Sequence, residues 1–104
     1  MKRMRNRHLG TSAIYGLFDE RDCLRYIGMT STMVDTRYSS HCRSADDMRI
    51  TRPSVLWIRE MAKHGKTPTV RVFERCPNAI ARDRELWWIA WAAARIEGLL
   101  NEVR

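Results

Sequence analysis

Residues 12–30 read SAIYGLFDERDCLRYIGMT, and the way this stretch folds back on itself decides the fold. Two β-prone runs, residues 13–18 and 24–27, flank the charged segment Asp19-Glu20-Arg21-Asp22. Branched and aromatic residues on either side of a short polar loop predict a β-hairpin. In an antiparallel pair, the numbers of facing residues share a constant sum. With Phe18 opposite Cys23 across a loop of about four residues, Leu17 faces Leu24 and Tyr15 faces Tyr26. Both phenols then leave the same side of the ribbon, with Cβ atoms about 5 Å apart. A one-residue slip would send them to opposite faces, so their meeting depends on the loop length.

The rest of the chain supplies a cover for that hairpin. Thr32-Met33-Val34-Asp35 has the form of a capping box and predicts a helix over about residues 33–47. Val34, Tyr38, Cys42 and Ala45 form its apolar stripe, and Arg37 and His41 stack one turn apart on an adjoining face. Pro53 suits the first turn of a second helix over 53–64, which buries Val55, Ile58 and Met61/Ala62, broadened by Leu56 and Trp57. Gly65 is placed to end it. Residues 68–74 read as a third strand with Val70 and Val72 on one face, and a long helix follows over about 79–96, stopping at Gly98. The order β-β-α-α-β-α is an α+β fold, a small three-stranded antiparallel sheet flanked by helices. The last helix carries the run Leu86–Ala94, apolar nearly all round, and is expected to be largely buried with its tryptophans in the core.

Length and charge narrow the classes. One hundred and four residues suit one domain with a single modest core, here residues 12–104 behind a basic flexible arm at 1–11. The net charge of +7 favours a polyanionic partner, with nucleic acid the first candidate. Lys2, Arg3, Arg5 and Arg7 precede any acid, and without these four bases residues 9–104 keep +3, from fifteen bases and twelve acids. The arm is therefore a candidate for tracking a phosphate backbone. No apolar core follows the basic start, so it is not read as a secretory signal. The longest apolar run, nine residues at Leu86–Ala94, is too short for a bilayer and no membrane role is expected. Cys23, Cys42 and Cys76 lie far apart with no CxxC pair, and read as reduced, mostly buried thiols of a cytoplasmic protein. A zinc site from these with His8, His41 and His64 has no supporting spacing.

Ala13-Ile14-Tyr15 and Tyr26-Ile27-Gly28, with ten residues between them, resemble the signature of the GIY-YIG nuclease family. Arg37 and His41 follow on the first helix, Glu85 stands in Glu-x-x-Trp-Ile on a later one, and Asn101 in Leu-Leu-Asn near the end. These six polar positions occur in the family's order, over nearly the whole chain. Ala13 departs from the family's usual glycine, a mild change in a strand. The resemblance implies a metal-dependent endonuclease cutting branched or duplex DNA, as a monomer or as a dimer when two strands are cut. It implies one Mg²⁺ or Mn²⁺ per active site with Glu85 as its only protein ligand. Tyr15 would orient or deprotonate the attacking water, Tyr26 and His41 would position groups or relay the proton, Arg37 would hold the scissile phosphate, and Asn101 would support the site. A phenol titrates near 10, so base catalysis by Tyr15 requires a strong downward shift from the metal or arginine. The alternative is a catalytically inactive nucleic-acid-binding protein or a docking subunit of a larger complex.

Overall fold

A computed structural model describes residues 10–101. The elements run β1 (Thr11–Phe18), β2 (Leu24–Thr30), α1 (Val34–Ser44), α2 (Pro53–Lys63), β3 (Thr69–Pro77) and α3 (Asn78–Ala93). The strands form one antiparallel sheet in the order β2-β1-β3. This is the α+β architecture and element order read from the sequence. β1 starts at Thr11, inside the stretch read as part of the arm.

As the central strand, β1 is covered on both faces and is buried from Ser12 to Phe18. Ile14 and Phe18 pack with Leu24, Ile27, Cys76 and the α3 residues Ala81, Ile89 and Ala92. Tyr15 and Leu17 pack with Ala45, Val55 and Ile58, joined by Val34, Tyr38 and Val70. The sheet is thus the middle layer, with α3 on one side and α1 and α2 on the other. Among the described residues no helix is long and apolar enough to cross a membrane.

The hairpin differs from its expected register twice. Asp19 N–H bonds Cys23 O at 2.9 Å, leaving a three-residue loop, and Phe18 faces Leu24. Asp22 closes the turn at φ 63°, a left-handed conformation that Asp tolerates, while Asp19 Oδ1 accepts the amides of Arg21 and Cys23 at 2.9 Å. That shorter loop alone would part the two phenols. A bulge then leaves Arg25 without a facing residue, so Leu17 faces Tyr26 and Tyr15 faces Gly28. Tyr15 and Tyr26 end on one face after all, as diagonal neighbours roughly 7–8 Å apart rather than as a direct pair.

Smaller corrections follow from capping and coverage. Met33, not Thr32, precedes α1, and its thioether makes no cap; the Thr32 hydroxyl and amide are instead engaged with Thr30 Oγ1 at 2.8 and 3.1 Å. α1 ends at Ser44, three residues short of the expected end. Gly65, at φ 69°, ends α2 as expected, with Lys66 N–H on Met61 O and Gly65 N–H on Ala62 O. Leu56 and Ala62 face solvent, and of the cysteines only Cys76 is buried. α3 is not enclosed: Trp88 is half-buried, whereas Trp87 and Trp91 are 47% and 36% exposed. A single sheet face can cover only one side of a helix.

Candidate functional site

Tyr15 is 1% exposed, and its ring lies against the backbone of Gly28, where any Cβ would overlap the phenol. Its Oη stands 2.7 Å from Nε2 of His41, which α1 brings in from the helix's buried side. The Tyr26 ring meets the same imidazole edge-on at 5.4 Å between centroids. The imidazole therefore sits between two phenols on one face of the sheet.

Burial governs how these groups titrate. It pushes Tyr15 up to about 12, helped by Tyr26 and Glu85 and opposed by Arg37. Tyr26 also rises, by burial first, with Arg37 and Arg52 pulling it down and Glu85 pushing it up. His41 falls to about 4, by burial and then by the positive charges of Arg37 and Arg52. At neutral pH the pair is a protonated phenol beside an uncharged imidazole. When the ring proton is on Nδ1, Tyr15 O–H donates to Nε2. The arginine thus does not acidify Tyr15: loss of solvent outweighs it.

Tyr26, Arg37, His41 and Asn101 line a cleft of about 180 Å³, together with Arg52, Leu100 and the first turn of α2. Four of the six candidate residues meet there. Tyr15 and Glu85 do not line it; Tyr15 reaches it through His41. Arg52 was not singled out by sequence. It stands directly before the helix-starting Pro53, so its side chain lies at the positive end of α2. Arg59 secures the loop carrying it, bonding the carbonyls of Ala45 at 2.9 Å, Asp47 at 2.9 Å and Ile50 at 3.1 Å.

Asn101 works on backbone rather than on a side chain. Its Oδ1 accepts Ile27 N–H and its Nδ2 donates to Ile27 O, both at 2.7 Å. Leu100 N–H bonds Arg25 O at 2.7 Å, and Arg25 Nε bonds Gly98 O at 2.9 Å. Residues 98–101 thereby cover the outer edge of β2 beside Tyr26 and satisfy groups that an edge strand leaves open.

Glu85 is buried on the sheet-facing side of α3, and its Oε1 lies 2.5 Å from Nη1 of Arg82, whose side chain is 71% exposed. Its charge reaches both phenols and raises them. Among the described residues no three His, Cys, Asp or Glu side chains gather as a metal-binding group. An ion here would rest on one carboxylate, with water and phosphate as the other oxygen sources. That hard-oxygen donor set suits Mg²⁺, which keeps much of its water shell. A larger cleft of about 230 Å³ lies elsewhere, beside Trp57 and Arg25. Its acids Asp19, Glu20 and Glu60 already pair with Arg25, Lys66 and His64, leaving little charge for a ligand. Lys2, Arg3, Arg5 and Arg7 lie outside the described residues.

No family model matches this chain, and no curated protein or solved structure matches it either.

Proposed function

We propose that this chain is an endonuclease of the GIY-YIG type that hydrolyses DNA phosphodiester bonds with one divalent cation. The observation that carries the reading is the cleft itself: Arg37, Arg52 and the N-terminus of α2 surround the mouth of a buried, uncharged Tyr15–His41 pair. Cations and helix amides suit a phosphate, and a hidden proton acceptor suits hydrolysis. DNA rather than RNA comes from the family resemblance.

The guanidinium groups of Arg37 and Arg52 hold the phosphate oxygens, Arg37 with the planar fork that matches them. Glu85 would hold a divalent ion, which would supply Lewis acidity and make water a better nucleophile. Tyr26, in the cleft wall, orients the attacking water. His41, which lines the cleft, takes up the water's proton on the ring nitrogen that Tyr15 does not engage, and the hydrogen bond to Tyr15 Oη holds the imidazole in place, so no phenolate forms. A bound phosphate also offsets the two arginine charges that hold His41 down, so the imidazole becomes a stronger base as substrate arrives. Asn101 keeps β2, and with it Tyr26, in register.

Cleavage of labelled supercoiled and branched DNA in Mg²⁺, Mn²⁺ or EDTA tests this, with Glu85→Ala and Tyr15→Phe beside the wild type. The expected result is metal-dependent cutting that Glu85→Ala abolishes while DNA affinity persists. Tyr15→Phe should lower the rate by about 10²–10⁴. Undiminished DNA binding by all three proteins, with no cutting of any substrate, would establish the non-catalytic binder instead.

A further inference from the structure

Asp83, Trp87, Trp91 and Arg95 recur every four residues. On a helix that spacing makes one continuous ridge. The sheet-facing side of α3 is Ala81, Glu85, Ile89 and Ala92, so the ridge lies on the side turned to solvent. Helical amide bonds continue past the end of α3, Ala94 N–H to Ala90 O at 3.2 Å and Ile96 N–H to Ala92 O at 2.8 Å, which keeps Arg95 on the ridge. Ile80 and Leu86, 45% and 46% exposed, extend the apolar area around the two tryptophans. Small soluble domains seldom leave such a surface open without a partner.

The ridge is self-complementary. Its ends carry opposite charge and its middle carries two indoles. Asp83 is exposed, and among the described residues no ion pair involves Asp83 or Arg95. Arg95 lies over the Trp91 ring, 4.8 Å from its centroid. We infer that this ridge is the interface of a homodimer, with two α3 helices packed antiparallel about a two-fold axis between Trp87 and Trp91. Such an axis sets Asp83 against Arg95 of the partner subunit and Trp87 against Trp91 of the partner subunit, each contact occurring twice. A parallel arrangement would instead place like charges together. The free edge of β3 is the rival route to self-association, but antiparallel pairing centred on Phe73 would put Arg71 opposite Arg75. Nucleic acid suits the ridge less well, since Asp83 stands at one end and the adjacent Arg84 is already engaged by Glu74 at 2.8–3.0 Å. This inference is independent of the nuclease reading.

Sedimentation of the full chain over a concentration series tests it, with circular dichroism confirming that each variant is folded. The wild type should form a concentration-dependent dimer. Asp83→Arg and Arg95→Asp should each raise the dimer dissociation constant about tenfold or more, because each reversal creates two like-charge contacts. The double variant carrying both reversals should return close to wild type, a rescue that loss of folding cannot mimic. A wild type that stays monomeric, single variants that dimerise as well as wild type, or a double variant no better than the singles would each overturn the proposal. Quenching of tryptophan emission by single-stranded DNA in a monomeric wild type would give the ridge to nucleic acid instead.

Discussion

The two faces of β1 do opposite things with alternate residues of one strand. Toward α3, Ile14 and Phe18 meet Ile27, Ala81, Ile89 and Ala92 in an apolar cluster, with Glu85 buried on the same side of the helix. Toward α1 and α2, Leu17 still meets Val55 and Ile58, but Tyr15 brings a hydroxyl into the same layer and finds His41. The polar groups are matched: among the described residues no buried side-chain nitrogen or oxygen lacks a partner. A dry face makes the strand rigid, and the other face can then hold a phenol and an imidazole in one geometry. Glycines tune both faces. A Cβ at Gly16 would overlap Phe73 on the dry side, and one at Gly28 would overlap Tyr15 on the polar side.

The contrast can be broken by cutting one group from each face. Ile14→Ala should cost about 3 kcal/mol in urea unfolding, since it opens a cavity where nothing can relax into it. Tyr15→Phe keeps the ring and removes one hydrogen bond, for about 1 kcal/mol. Equal costs would mean that the polar face, too, is chiefly a folding core.

Acid sharpens the comparison next, because the polar face holds the buried imidazole. His41 has a folded pKa of about 4 against an ordinary 6.5. Below pH 6.5 the unfolded chain therefore takes up a proton that the folded chain refuses. The stability difference between wild type and His41→Phe should thus be constant above pH 6.5. As pH falls to 4 it should shift against the wild type by on the order of 2 kcal/mol, after allowing for the open cleft. Referring wild type to the variant removes the parallel loss from Asp47, Glu60 and Glu74, whose carboxyls their partners hold low. A difference that does not change with pH would place His41 in water rather than between the phenols.

The smallest effect belongs to the edge of the sheet. Asn101→Ala should cost about 1 kcal/mol and speed hydrogen exchange at the Ile27 amide, with Ile14 unaffected. Unchanged exchange at Ile27 would show that the tail does not pin β2.

Much of the site's composition was legible in the sequence, yet its geometry was not. The register is not legible in the sequence, because composition does not reveal a three-residue turn closed by Asp22, nor a bulge at Arg25. The two deviations each shift the pairing by one, so together they restore the parity that either alone would have destroyed. Arg52 carries no signal in the sequence, because an arginine in a connecting loop has no pattern until the loop is folded beside α1. The expectation that α3 is enclosed failed for a related reason: apolar composition measures what a helix could bury, not what is present to bury it.

By itself, the sequence determined the order of elements and the start of α2 at Pro53 and its end before Gly65. Those depend on local propensity, periodicity and backbone freedom, which neighbouring residues settle among themselves. Only the tertiary structure decided that Tyr15 is neutral beside a neutral His41, that Asn101 serves a strand edge, and that half of α3 faces water. Each of these depends on distance to solvent and to charges far away in the chain, and burial is a property of the assembled layers rather than of any segment.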